Sequence, residues 1–207
     1  MASSYVLPQA TGATLVEKNI PNLIISPIPP PIQVVENHEE LQKVRELRAA
    51  VYQKIYPALD VHDDPHDESA VILYSEDCNG RLISTARLAV DGAIGLPEDS
   101  YFPPEVNNYR RQGKCLLELG RLINQGGDKQ LLKAYFWAIY NTAQDLEGDV
   151  ILMAIKPKDI SFYQRLGATL LAADMGVTYG GKHTLACLAW EIKHTKKFFF
   201  DWAGGEK

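Results

Sequence analysis

The stretch Cys115–Asp128 has the sequence CLLELGRLINQGGD and decides how the rest of the chain is interpreted. Its first nine residues form an apolar run typical of a buried strand, yet the run contains Glu118, Gly120 and Arg121. Strand alternation places Glu118 and Arg121 on opposite faces unless a bulge at Gly120 re-aims the two side chains. Charges in a buried strand are unusual, so this strand is the first candidate for a functional site. A structural ion pair between Glu118 and Arg121 is the alternative.

A helix is expected directly after this strand. Gly126 and Gly127 end the strand, and Asp128 is a suitable N-cap for a helix that stops at Gly148. The free amide groups at the start of such a helix, together with the helix dipole, can bind a phosphate group.

The apolar spacing and turn residues on either side of this stretch predict the element order β α β β, a long connection, then β α β α β β. Apolar residues at spacings of three and four between Leu41 and Ile55 predict the first helix. Asn79-Gly80 predicts a hairpin between two antiparallel strands. Residues 91–113 form the connection, with one short helix near its end, and a final hairpin is expected around Gly180-Gly181.

Composition predicts one globular domain. The chain has 207 residues, 46% of them hydrophobic, and a formal charge of -5. We expect an N-terminal arm over residues 1–30, a domain over 31–193 and an aromatic tail over 194–207. The tail could cover the domain, line an acyl pocket or form an oligomer contact.

The same composition narrows the possible partners and the compartment. The mildly acidic balance argues against nucleic acid as the main partner. The run over 20–32 is broken by five prolines, and no stretch is long and apolar enough for a membrane span. Three widely spaced cysteines and the lack of an apolar signal peptide favour a reducing, cytoplasmic setting.

The element order and the charged strand resemble the GCN5-related N-acyltransferase (GNAT) superfamily from Ile32 onward. The segment Phe162–Ala168, FYQRLGA, is similar to the superfamily signature Phe-Tyr-x-x-x-Gly-Phe. The resemblance implies an α+β fold with three layers, α/β/α, around a mixed and mostly antiparallel sheet splayed at the acyl-donor site. It implies no permanent cofactor and no metal; the co-substrate would be a phosphopantetheine thioester, on acyl carrier protein or on coenzyme A. The residues expected to bind this donor are Leu122, Ile123, Gly126, Gly127, Asp128 and Lys129.

Four further motifs resemble the branch that contains the acyl-homoserine-lactone (autoinducer) synthases and the N-acyl amino acid synthases. In chain order these motifs are Arg48 with Tyr52, Asp60-Val61-His62-Asp63, Ala86-Arg87-Leu88, and Glu118 with Arg121. The resemblance implies transfer of a long-chain acyl group from acyl carrier protein to the amine of an amino acid or a related small amine. The tryptophan that follows the first helix in lactone synthases has no counterpart over 56–59, which favours an amino acid acceptor.

Aminolysis of a thioester needs a neutral amine, a polarised carbonyl and a protonated leaving group. We expect Glu118 to be the general base, directly or through a water, and Tyr163 to protonate the departing sulfur. Acceptor binding is expected from Arg48, Tyr52, Asp60, Asp63, Arg87 and Arg121, with Arg87 or Arg121 holding the carboxylate and the two aspartates the ammonium group.

Several alternatives stay open at this point. Tyr163 could plug the core beside Phe162, and Arg48 could be an exposed helix charge. A loop with His62 and His66 could ligate a metal. A carrier protein could dock on the basic residues Lys156, Lys158, Arg165, Arg110, Arg111 and Lys114. The rival functions are an acetyl-coenzyme A-dependent N-acetyltransferase and a non-catalytic acyl-binding module.

Overall fold

The structure is a computed structural model that describes residues 32–55, 64–173 and 184–204. Within these ranges seven strands form one sheet and five α-helices cover it. The strands are β1 (Gln33–Val34), β2 (Ala70–Glu76), β3 (Leu82–Val90), β4 (Leu116–Asn124), β5 (Val150–Ile155), β6 (Thr169–Ala172) and β7 (Ala186–Glu191). The helices are α1 (His38–Ile55), α2 (Pro103–Arg111), α3 (Lys129–Asp145), α4 (Ile160–Leu166) and α5 (Lys197–Ala203).

The sheet is mixed and mostly antiparallel, as the sequence predicted. Its strand order is β1-β2-β3-β4-β5-β7-β6, and the pair β4–β5 is parallel whereas the other neighbours are antiparallel. The parallel ladder pairs Leu116–Glu118 with Val150–Leu152. Both strands continue beyond this ladder, so they diverge there and open a space between them.

The two faces of the sheet bury different helices. Along β2, Leu73 packs in the large core with α3, α4 and α5, whereas Ile72 and Tyr74 pack against α1. Because neighbouring residues of a strand point to opposite faces, helices lie on both sides of the sheet. Arg87 of β3 is the cross-strand partner of Ile72, so it lies on the α1 face.

The expected bulge exists, one residue later than predicted. On β4, Arg121 and Leu122 together face Ala86 of β3. The backbone of Arg121 has a φ of +55°, in the left-handed region that non-glycine residues rarely adopt. The bulge therefore re-aims the side chains that follow Gly120.

Aromatic residues of the C-terminal tail form part of the core. Phe199 of α5 is fully buried, and its ring centroid lies 5.1 Å from that of Trp190 on β7. The tail was expected to cover the domain, line an acyl pocket or form an oligomer contact. Its described part, α5, covers the domain. The turn expected at Gly180-Gly181 lies outside the described residues. Among the residues that the structure does describe, no helix has the length and apolarity needed to cross a membrane.

Candidate active site

A cavity of about 510 Å³ lies where β4 and β5 diverge. Residues of α1, β3, β4, β5 and α4 line it, and the predicted site residues among them are Tyr52, Arg87, Glu118, Arg121, Leu122, Ile123 and Tyr163. The divergence of two strands thus brings half of the predicted site residues to one place.

Arg87 is the centre of a buried ionic network beside this cavity. Its side chain is 1% exposed. Its Nη2 and Nε donate to Glu118 Oε2 over 3.2 and 3.3 Å, and its Nη1 donates to Asp64 Oδ2 over 2.6 Å. Glu118 is therefore held by a cation, not only by apolar strand neighbours.

Asp64 joins the two strand arginines. Its Oδ2 also accepts a hydrogen bond from Arg121 Nη2 over 2.6 Å. Burial alone would raise the pKa of the Asp64 carboxyl, but the guanidinium groups of Arg87 and Arg121 outweigh it and hold that pKa well below its ordinary value. The Arg121 guanidinium lies over the Tyr52 ring, 5.6 Å from its centroid. Glu118 pairs with Arg87 and Arg121 pairs with Asp64, in place of an ion pair between Glu118 and Arg121.

Arg48 lies at the bottom of the same network. It is fully buried on α1, and its Nη1 donates to Asp67 Oδ1 over 2.8 Å. Its Nε and Nη2 have no hydrogen-bond partner within the described part of the chain. Burial lowers the pKa of Arg48, because desolvation disfavours the charged form. The alternative of an exposed helix charge is therefore wrong.

Asp64 and Asp67 are functional candidates that the sequence analysis missed. Asp60 and Asp63, which were expected to hold the acceptor ammonium, lie outside the described residues. The segment Asp64-Pro65-His66-Asp67 repeats the same Asp-x-x-Asp spacing four residues later. That spacing, directly before β2, was the signal that could have found them.

The alternative in which the loop with His62 and His66 ligates a metal gains no support from the described ranges. His66 Nδ1 lies 3.1 Å from Asp64 Oδ1, while His62 lies outside those ranges. No group of three metal-binding side chains occurs among the residues described. Asp64 Oδ2 already accepts hydrogen bonds from Arg87 and Arg121, and Asp64 Oδ1 accepts one from the amide of His66.

Tyr163 belongs to both the cavity wall and the aromatic core. Its ring centroid lies 5.3 Å from that of Phe162 and 5.8 Å from that of Phe136. Burial raises the pKa of its hydroxyl group, so the group stays protonated at neutral pH. The two readings of Tyr163, core residue and proton donor, are thus compatible in this position.

The predicted donor-binding residues divide into two groups. Leu122 and Ile123 line the cavity, whereas Gly126, Gly127, Asp128 and Lys129 lie beyond its described lining. Asp128 is the N-cap of α3, and its Oδ1 accepts from the amides of Gln130 and Leu131 over 2.7 and 3.2 Å. Two amides that a pyrophosphate would use are therefore already occupied by a carboxylate.

Basic residues at the surface are also divided. Lys156 and Lys158 lie at the cavity. Arg110 pairs with Asp91 and Asp99, Lys114 pairs with Asp149, and Arg165 stacks on Phe198. Of the six basic residues expected to dock a carrier protein, Lys156 and Lys158 are thus the two that line the cavity.

Several solved structures share the fold described above. The structure of FeeM, an N-acyl amino acid synthase from uncultured soil microbes, superposes with a TM-score of 0.70 at 22% identity, covering 83% of this chain and 92% of that one. The CoA-dependent acyl-homoserine lactone synthase BjaI gives 0.59 at 14% identity, covering 82% and 84%. An N-acetyltransferase from Staphylococcus aureus Mu50 gives 0.55 at 15% identity, covering 78% and 97%. These likenesses establish the GNAT-like fold, an α+β architecture.

The family follows from the sequence match. The model of the N-acyl amino acid synthase FeeM family matches residues 43–185, which is more than half of the chain. A search of the curated proteins finds no match. The chain belongs to the N-acyl amino acid synthase FeeM family, and it is an N-acyltransferase with a GNAT-like fold.

Proposed function

We propose that this acyltransferase moves a long-chain acyl group from an acyl-carrier-protein thioester to the α-amine of an amino acid. The observation that carries the proposal is the position of Glu118, at the wall of the cavity between the diverging strands and fixed there by Arg87. A carboxylate at this point can take a proton from an amine that approaches a thioester lying between β4 and β5.

The acceptor side is built from arginines. Arg121 lines the cavity, and its described hydrogen bonds to Asp64 use Nε and Nη2, so Nη1 is left to meet a carboxylate. Arg87 is the weaker of the two candidates, because its donors are directed at Glu118, Asp64 and Asp67. Arg48, also predicted to bind the acceptor, does not line the cavity; it holds Asp67, which accepts from Arg87 Nη1 over 3.5 Å, and so acts on the site through Arg87. Asp60 and Asp63 remain predicted ligands of the ammonium group.

The chemistry then proceeds in three steps. Glu118 takes one proton from the ammonium group, directly or through a water, and the neutral nitrogen attacks the thioester carbonyl. Backbone amides at the bulge beside Leu122 and Ile123 stabilise the oxyanion. The tetrahedral intermediate collapses, the carbon–sulfur bond breaks, and Tyr163 donates its proton to the thiolate. The nitrogen gives up its second proton, which returns to the Tyr163 phenolate directly or through a water. The products are an amide and the free pantetheine thiol.

The donor side favours a carrier protein. A phosphopantetheine arm on a protein carries one phosphodiester, whereas coenzyme A also presents a pyrophosphate. The N-terminus of α3 is capped by Asp128, which disfavours an additional anion there. Lys156 and Lys158 at the cavity suit the single phosphate and the acidic surface of a carrier protein. The related BjaI is CoA-dependent, so acyl-coenzyme A is the donor against which the proposal is tested.

The test is mass spectrometry of the products formed from acyl-carrier-protein thioesters of several chain lengths, acyl-coenzyme A and acetyl-coenzyme A, each with a pool of amino acids. A long-chain N-acyl amino acid formed from the carrier-protein donor supports the proposal. Product formed from acetyl-coenzyme A alone would assign the protein to the acetyltransferases. Donor binding without product would make it an acyl-binding module.

Glu118→Gln should lower turnover about 100-fold or more, because the amide cannot accept the proton. The control is Glu46→Gln, which removes an exposed carboxylate on α1 and should leave turnover unchanged. Thermal unfolding checks that the variant folds, and Glu118→Asp supplies a second variant that keeps the charge beside Arg87. Full turnover in folded Glu118→Gln would remove Glu118 from the mechanism.

A further inference from the structure

Glu98 is a buried carboxyl group that the proposed mechanism does not use. It lies in the short 3-10 turn Pro97–Ser100, between β3 and α2. The residue is 2% exposed, and its Oε2 has no hydrogen-bond partner among the described residues. Burial removes the hydration that an ionised carboxylate needs, and Oε2 gains no hydrogen bond in return, so the position favours the neutral acid.

The turn that carries Glu98 is fixed at the edge of the active site. Arg110 of α2 bridges Asp91 and Asp99 with hydrogen bonds of 2.6 Å to each carboxylate. Asp99 Oδ2 also accepts from the amide of Leu96 over 2.8 Å. The turn packs against β5, and Pro97 lines the cavity. Glu98 is therefore held next to the cavity wall.

The electrostatic surroundings of Glu98 connect it to Glu118. Burial raises the pKa of Glu98 well above its ordinary value, the negative charge on Glu118 raises it further, and Arg87 opposes both effects. Three charged side chains influence Glu98: Glu118 on β4, Arg87 on β3 and Asp99 on its own turn. The Cys187 thiol on β7 also lies near Glu98, and Glu105 of α2 lies near the same thiol. Strand β5 contributes no titratable side chain.

We propose that Glu98 is a positioning residue of the acyl-transfer site, whose neutral carboxyl group keeps the single negative charge of the Glu98–Glu118 pair on Glu118. This inference rests on the proposed function, because it takes Glu118 as the base. Pro97, the residue before Glu98, lines the same cavity as Glu118, so a second ionisation at this wall would place like charges close together. Arg87 donates two hydrogen bonds to Glu118 and thereby fixes the charge there. The proton of the amine then goes to Glu118.

Infrared difference spectroscopy of the full-length protein tests this inference without any substrate. The wild type should show the carbonyl band of a protonated carboxyl group at neutral pH, and Glu98→Gln should lose that band. In Glu118→Gln the band should persist but titrate at lower pH, because the neighbouring negative charge is gone. A missing band in the wild type, a band retained in Glu98→Gln, or an unshifted titration in Glu118→Gln would each overturn the inference.

The kinetic readout is the pH profile of turnover. Ionisation of Glu98 at alkaline pH would put a second negative charge beside Glu118 and compete for Arg87, so wild-type turnover should fall there. Glu98→Gln cannot ionise and should lose this alkaline fall. A neutral-pH loss in Glu98→Gln as large as that in Glu118→Gln would make Glu98 the proton acceptor and overturn the inference. Because the infrared result needs no turnover, it stands even if the acyl-transfer proposal fails.

Discussion

Asp64 links two arginines that come from neighbouring strands of the sheet. Each of them donates to Asp64 Oδ2 over 2.6 Å, and the residue is 7% exposed. Removing one partner of a buried ion pair leaves an uncompensated charge. Asp64 is thus the carboxylate that keeps Arg87 and Arg121 at the base of the site.

Asp64→Asn should destabilise the protein by about 3–5 kcal/mol at pH 7. The pKa of Asp64 is lowered in the folded state, so its stabilising effect is present above the ordinary carboxyl pKa, about 4, and is lost as the pH falls through the folded value. The difference between wild type and variant should therefore shrink in acid. Urea unfolding at neutral and acidic pH measures it.

The control for this prediction is Glu39→Gln, which removes the exposed ion pair between Glu39 and Lys43 on α1. Its effect on unfolding should be much smaller than that of Asp64→Asn, because solvent screens the exposed pair. Equal effects of the two substitutions would show that the buried network does not depend on Asp64.

Site residues could be predicted from the sequence where charged side chains interrupt an apolar strand. They could not be predicted where two adjacent candidates have the same spacing. Glu118 and Arg121 were conspicuous because they interrupt an apolar strand. The segment 60–67 contains two Asp-x-x-Asp motifs, and only the positions of Arg87 and Arg121 in space select Asp64 as a partner within the described residues. Glu98 gave no signal, because a glutamate in a polar connection looks exposed until the chain is folded.

Within strand β4, Gly120 and the bulge that follows it together position Glu118 and Arg121. A Cβ atom at Gly120 would overlap Glu118 Oε1 and lie 2.8 Å from its Cδ. The absence of a side chain at Gly120 therefore leaves the space that the carboxylate of Glu118 occupies, while the bulge re-aims Arg121 toward Asp64.

Gly120→Ala should lower turnover by about 100-fold, because it displaces the Glu118 carboxylate by a distance on the order of 1 Å. The control is Gly92→Ala, where the nearest atom to the added Cβ is Val90 O at 3.9 Å. Steady-state kinetics and thermal unfolding of both variants provide the comparison. If Gly120→Ala and Gly92→Ala had the same turnover, Glu118 would not need its present position.

Helices and strands with a long sequence pattern were predicted correctly, whereas the short helix α5 was not. The apolar spacing over five turns of α1 and the hairpin at Asn79-Gly80 fixed the expectation of a helix and two antiparallel strands, and both are present. The helix α5 was expected only as an apolar tail. It has seven residues, five of them apolar, and such a short segment shows no helical period. The position of the bulge depends on cross-strand pairing, which the sequence does not contain.

At the scale of the whole molecule, α5 closes the core on the face opposite α1. Phe199 is fully buried, with ring centroids 5.1 Å from both Trp190 and Tyr140. Phe198, the preceding residue, is instead half-buried, with the Arg165 guanidinium 4.2 Å from its ring centroid. Adjacent phenylalanines of one helix thus occupy a core site and a surface site.

Phe199→Ala should destabilise the protein by about 3–5 kcal/mol, because it leaves a cavity among aromatic rings that pack α3, β7 and α5 together. Phe198→Ala is the matched control and should have a smaller effect, since Phe198 is only partly buried at the edge of the same core, where its ring contacts Arg165. Chemical unfolding of both variants measures the difference. Equally small effects of the two substitutions would mean that α5 is not part of the cooperative fold. A large effect of Phe199→Ala alone would show that the C-terminal helix stabilises the sheet from which the active site is built, although none of its described residues lines the cavity.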